Sequence, residues 1–298
     1  AQVPFISNGP DDRLGSYVYA RVPRAFGSRF TPGVYWTREF LGYSRFGPDA
    51  QPTFIYERQR HELRIEGRYE LTDLVAATAG VTLSRDRFSQ STFSPSVGEL
   101  PARGDGTWVV AGAQIGTIEE ELSRVRGTQL ELTAARALPG VLGSDLSATS
   151  FTATLRSFAV PAPDVNLCGQ LVARATTGRS DAVLFRAGGL REIRGFPDAY
   201  FLAQQLVHGN LEARADVLRP RFIVPAIGQV AAFADLGWVG SRADAVAGLP
   251  YSGPVASVGG GVRWIPIPFA RAVARLDVAM GVYPQRRVDV SLGGQQFF

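Results

Sequence analysis

Polar and apolar residues alternate one for one along most of this chain, and the 3.6-residue period of an amphipathic helix is almost absent. Over 61–71, Leu63, Ile65, Gly67, Tyr69 and Leu71 share one face, while Glu62, Arg64, Glu66, Arg68 and Glu70 share the other. Between 206 and 217, Val207, Gly209, Leu211, Ala213, Ala215 and Val217 oppose His208, Asn210, Glu212, Arg214 and Asp216. The stretch 270–283 repeats this, with Ala274, Leu276, Val278, Met280 and Val282 against Arg271, Arg275, Asp277 and Tyr283. Read backwards from the C-terminus, the alternation predicts strands near 287–298, 270–283, 254–267, 223–239, 202–217, 163–176 and 146–159. Further upstream it predicts 125–137, 108–119, 74–88 and 60–71, then 31–45, 15–25 and a short segment at 2–7.

Many of these segments outrun the five or six residues of a usual soluble strand. Their apolar faces are rich in Ala and Gly rather than in the bulky residues of a sandwich core. A membrane-crossing strand needs about 9–11 residues, apolar toward lipid and polar toward the interior. Only a helix or a closed barrel pairs every backbone group inside hydrocarbon. The expected fold is therefore all-β, a transmembrane antiparallel β-barrel of about 14 strands, with 12 to 16 as the range, filling 1–298 as a single domain.

Connection lengths agree. Short ones fall at Thr72-Asp73, Pro161-Ala162-Pro163, Arg219-Pro220 and Pro266-Ile267-Pro268. Long ones fall between them, at 89–107, 138–145, 177–201 and 240–253. Only the tight hairpin near 284–286 breaks the alternation. Short turns on one side and long loops on the other are the habit of outer-membrane barrels.

Composition changes the picture in three ways. A single Cys in 298 residues excludes an internal disulfide or a Cys-built zinc site, and Cys168 reads as a small strand residue. No run of about 18 uncharged apolar residues exists, which excludes a spanning helix and nothing else. All 31 basic residues are Arg, spaced singly rather than in blocks, so the net charge of +4 does not point to nucleic acid.

Candidate chemistry is thin. His61 and His208 read as polar lining, and His61-Glu62 lacks the second His of a metalloprotease helix. Arg103-Gly104-Asp105 is a triplet of the kind chance supplies, and Gly259-Gly260-Gly261 reads as a thin, bendable stretch of wall. No Gly-x-Ser-x-Gly elbow occurs. No enzymatic activity, cofactor or metal is expected. Ala1-Gln2, with no charged and apolar leader before it, reads as a mature terminus left by signal-peptide removal or as the start of a truncated chain, and the expected location is the bacterial outer membrane.

One stretch carries more. Gly188-Gly189-Leu190-Arg191-Glu192-Ile193-Arg194-Gly195-Phe196 is followed by Gly209-Asn210-Leu211-Glu212, Phe233-Ala234-Asp235-Leu236-Gly237, Arg275-Leu276-Asp277 and a terminal Phe297-Phe298. In this order the motifs resemble the BamA/TamA/FhaC superfamily of outer-membrane assembly and secretion barrels, over about the last 120 residues.

The resemblance implies that loop 177–201 folds back into the barrel lumen on Ile193, Arg194, Gly195 and Phe196. It implies that Arg194 bonds Glu212 and Asp235, that Gly195 turns the loop tip, and that Phe196 packs on the inner wall. Strand parity agrees for the two acids, since Glu212 falls with His208 and Arg214, and Asp235 alternates with Ala234 and Leu236. The last strand, ending on Phe298, would serve as the assembly signal and meet the first strand at a lateral seam, where Gly293 and Gly294 would weaken pairing.

The implied function is insertion or transport of a protein or lipid, with no POTRA or lipase domain in the sequence. The partners expected are outer-membrane lipids including lipopolysaccharide, the machinery that inserts the barrel itself, and a periplasmic partner or second copy. Two alternatives stay open. One is a passive channel favouring anions, lined by Arg64, Arg68, Arg263, Arg271 and Arg275; the other is a scaffold for a periplasmic protein.

Overall fold

The computed structural model describes residues 5–6, 12–47, 51–121, 123–220, 225–240, 248–249, 251–267 and 273–294. Its strands, in chain order, are β1 (Phe5–Ile6), β2 (Asp12–Arg21), β3 (Phe30–Phe46), β4 (Pro52–Glu70), β5 (Val75–Gln90) and β6 (Gly104–Glu121). Next come β7 (Arg124–Ala137), β8 (Thr149–Ala162), β9 (Val165–Thr176) and the short β10 (Phe185–Ala187) and β11 (Phe201–Ala203). The chain continues through β12 (Gln205–Leu218), β13 (Ala226–Gly240), β14 (Gly253–Pro266), β15 (Ala274–Tyr283) and β16 (Arg287–Gly293).

All but β10 and β11 form one antiparallel sheet of 14 strands in sequential order, β1 to β9 and then β12 to β16. One of the 14 is the two-residue β1. β10 and β11 pair only with each other, as a small hairpin inside the connection between β9 and β12. Among the described residues no pairing joins β1 to β16.

The sheet wears its residues inside out. On β12, Leu211 is 68% exposed and Val207 46%, while Glu212 is 3% and His208, Asn210 and Arg214 are 1% exposed. β13 and β15 follow suit, with Leu236 and Met280 exposed against buried Asp235, Arg275 and Asp277. A soluble protein buries its aliphatic face and leaves its charges wet; here parity is kept and the polarity is reversed. The sheet also curls, since residues of β3 and β4 and residues of β8 and β9 line one cavity of about 380 Å³.

The N-terminal strands are longer than the alternation indicated. β4 begins at Pro52 rather than 60, and β6 at Gly104 rather than 108. At these ends the inward residues are themselves apolar: Phe54 and Tyr56 are buried, as are Tyr43 and Phe46 on β3. Both faces then read as apolar and period-two contrast is lost. The sorting of loops is also less clean than expected, because only five residues separate β3 from β4 on the side of the long loops, and eight, including a 3-10 turn at Ala25–Gly27, separate β2 from β3 on the other.

Candidate functional site

The connection from β9 to β12, residues 177–204, lies on the buried polar face and touches it in three places. At one end Leu184, Ala199 and Leu202 pack with Leu41, Tyr43, Phe54 and Tyr56 of β3 and β4. Arg58 donates two hydrogen bonds to Asp86, both 2.7 Å, and a third to the carbonyl of Ala182 at 3.0 Å, so an ion pair of the wall holds the loop backbone. The Tyr56 hydroxyl donates to Asp181 Oδ2 at 2.6 Å.

The second contact is the Glu192-Ile193-Arg194-Gly195-Phe196 tip. Arg194 is 1% exposed. Its Nε and Nη2 donate to the two carboxylate oxygens of Asp235 at 2.8 and 2.5 Å, and its backbone N–H donates to the same carboxylate at 3.0 Å. Nη1 donates to Glu212 Oε2. The guanidinium also lies 3.6 Å from the ring centroid of Phe233, so both its edge and its face are occupied.

Glycines make room for this. Gly195 has φ +82°, a left-handed value few side-chain-bearing residues adopt. A Cβ there would stand 2.6 Å from the backbone nitrogen of Gly281 on β15. Phe196 is fully buried, and a Cβ on Gly281 would stand 2.8 Å from its ring, so the ring occupies the space of a missing wall side chain. Its other neighbours are Tyr200 and Phe201, at 5.5 and 5.3 Å between ring centroids.

Around the clamp lies a larger buried network. Glu212 Oε1 accepts from Arg214 Nε at 2.6 Å and from Arg263 Nη2 at 3.0 Å, and Arg275 Nη2 stands 3.9 Å from Oε2. Asp277 accepts from Arg275 Nε at 2.7 Å and also from Arg263 Nη1. Four guanidinium groups, that of Arg194 from the loop and those of Arg214, Arg263 and Arg275 from β12, β14 and β15, thus share three carboxylates on β12, β13 and β15. Glu192 adds a further tie: its carboxylate accepts from Arg174 at 2.7 Å and lies 2.8 Å from His208 Nε2, and its carbonyl accepts from Asn210 at 2.7 Å.

No protein-family model and no curated protein matches the sequence. Solved structures do match the fold. BamA from Haemophilus ducreyi lacking POTRA domains 1–3 aligns over 96% of this chain and 62% of its own, with a TM-score of 0.67 at 13% identity. CdiB from Escherichia coli aligns over 94% and 52%, with a TM-score of 0.71 at 14% identity. The chain shares the fold of BamA and CdiB. CdiB from Acinetobacter baumannii gives 94% and 49%, 0.63 and 12%. The chain therefore spans about half to three fifths of the length of these relatives. This barrel-type fold is the one that the motif resemblance over about the last 120 residues implies.

The expected site residues Ile193, Arg194, Gly195, Phe196, Glu212 and Asp235 are brought together in one cluster. Gly293 pairs opposite Arg275, and a Cβ on it would stand 2.4 Å from Leu190, so its bareness admits a side chain of the loop. Gly294 follows the end of β16, and Phe298 lies outside the described residues. The third loop contact is thus to the last strand, reinforced by the Tyr200 hydroxyl donating to Gln285 at 2.9 Å and by Arg287 over the Tyr200 ring.

Of the arginines expected to line an open channel, Arg263 and Arg275 are engaged with Glu212 and Asp277, Arg64 with Glu62 at 2.8 Å and Arg68 with Gln114 at 2.7 Å. Arg271 lies outside the described residues. The Gly259–Gly261 run is explained by packing, since Cβ atoms there would meet the Phe233 ring and the Asp277 and Arg263 side chains. Parity alone gave the inward set containing Arg214, Arg263 and Asp277, but not that they converge on Glu212.

Proposed function

We propose that this chain is a closed outer-membrane barrel of the assembly and secretion superfamily, with loop 177–204 plugging its lumen and the β1–β16 boundary acting as a lateral seam for an incoming protein or lipid. The carrying observation is the Arg194 clamp, in which one loop side chain binds acids on two wall strands with its full fork. An apolar outer face over a charged inner one supports a lipid setting, because hydrocarbon is the solvent in which that arrangement is stable.

The seam reading is supported by β16 having a single paired neighbour, β15, among the described residues. An unpaired strand edge can template an added strand. Leu190 on Gly293 then connects the plug to that edge. The mechanism is non-covalent, with loop release and edge opening as the coupled steps, and no enzymatic step is assigned.

The test is insertion of a small outer-membrane barrel, presented unfolded from urea, into vesicles carrying the purified chain. Faster appearance of its heat-modifiable form than in empty vesicles is expected. A Leu190→Cys/Gly293→Cys pair in a Cys168→Ser background, cross-linked by a short dithiol reagent, should abolish the gain until reduced. Equal rates in loaded and empty vesicles would reject the assembly role. Planar-bilayer recordings decide against a passive channel if they show small, unstable events rather than a large steady conductance.

A further inference from the structure

We propose that the cavity beneath loop 177–204 binds a small phosphate-type oxyanion. The inference rests on the plugged-barrel reading, which makes this cavity an interior one. It is about 380 Å³, the volume of roughly a dozen waters, which suits a phosphate or pyrophosphate group and excludes a folded polymer.

Arg58 and Arg60 face it from β4, Arg156 from β8, Arg174 from β9, and Arg186 and Arg191 from the loop. Against these six guanidinium groups the lining holds two carboxylates, Glu39 and Glu192. Glu192 is already committed to Arg174 and His208. Acids outside the lining pair with three of the six, Asp86 with Arg58, Glu62 with Arg60 and Glu131 with Arg156.

The pairing is also uneven. Arg58 is bound tightly to Asp86. Arg156 makes only long bonds, 3.2 Å to Gln170 and 3.3 Å to Glu131. Arg60 is 3.4 Å from Glu62, and its buried Nε has no hydrogen-bond partner. A buried donor left unpaired is costly, and an oxyanion would satisfy it. The arginines approach from two walls and a roof. A carboxylate offers two coplanar oxygens, whereas a tetrahedral anion offers oxygens in every direction from which these groups approach. Bound there, the anion would tie Arg186 and Arg191 of the loop to both walls and hold the plug in place.

The test uses the full chain in zwitterionic detergent, titrated calorimetrically with pyrophosphate at fixed ionic strength. Saturable binding of one anion per chain with Kd below about 1 mM is expected. R60Q/R156Q should weaken it at least about tenfold, while R126Q/R136Q, which removes the same charge at exposed positions of β7, should not. No saturable binding, or equal weakening in both variants, would overturn the site. Heat-modifiable gel mobility is read in parallel. Binding absent with mobility retained rejects the site alone, and mobility absent in the unaltered chain rejects the barrel reading beneath it. If R60Q/R156Q does not fold, R191Q on the loop replaces it, with the same loss expected. Competition by dihexanoyl phosphatidic acid would assign the site to a lipid headgroup, and pyrophosphate binding without competition would assign it to a free anion.

Discussion

Glu212 sits among Arg194, Arg214, Arg263 and Arg275, every one of them buried. Taking one partner from a buried ion pair leaves the other charged and dry, a loss on the order of 3–5 kcal/mol. Arg194→Ala strands Asp235, whose ion pair it is, and takes one of several cations from Glu212, which keeps Arg214 and Arg263. It should lower the temperature at which the unheated, compact gel form disappears, and an unchanged transition would remove the bracing role of the loop. Gly281→Val should act similarly from the wall side, because its side chain would need the space of the Phe196 ring. The expected readout is protease cleavage within 177–204 in the variant under conditions where the parent chain is intact, and equal resistance would show that Phe196 does not need that seat. At this scale much was legible: parity put Glu212 and Asp235 inward, and the motif put Arg194 between them. What parity cannot supply is height. Asp235 stands level with Asn210 and Ser257, and Glu212 with Phe233 and Cys168, a consequence of inter-strand register that no single strand records. For that reason Arg214, Arg263 and Asp277 read as separate inward charges rather than as one network.

Strands show a similar division. The C-terminal ones, where small apolar residues outside oppose charges inside, were readable to within three residues: 202–217 became Gln205–Leu218, 223–239 became Ala226–Gly240 and 254–267 became Gly253–Pro266. β4 was not, because its first half turns Phe54 and Tyr56 inward to meet the loop and the alternation of polarity disappears there. The hairpin of β10 and β11 was missed because three-residue strands are too short to show a period. The last strand of the sheet differs in kind. β16 has seven residues and one described neighbour, whereas β13 has fifteen residues and is paired on both sides. A strand bonded along one edge opens more readily than one bonded along two. Amide exchange followed by mass spectrometry should therefore label peptides from 287–293 well before those from 226–240. Equal protection of the two would mean that β16 has a partner on its other edge, and the seam would have to be placed elsewhere.

For the whole molecule the decisive question is which solvent the apolar face meets. Forty-five per cent apolar residues is an ordinary content. Their position is not, since the charges went inside. Leu211 and Glu212 make the point at one level of β12: adjacent in sequence, near the middle of the strand, one 68% exposed and the other 3%. If the outer face met water, Leu211→Arg would be a substitution at an exposed position and would change stability by about 0.5 kcal/mol or less. If it meets hydrocarbon, a cation near the bilayer midplane costs about 2–4 kcal/mol. Toward the rim the cost falls to about 1 kcal/mol or less, so Val217→Arg, near the end of the same strand and also exposed, is the matched control. Folding titrations in vesicles of short-chain lipid should show a large loss for Leu211→Arg and a small one for Val217→Arg. Two small, equal losses would mean that the exposed apolar face is covered by something other than lipid, and the membrane assignment would fall with the depth dependence.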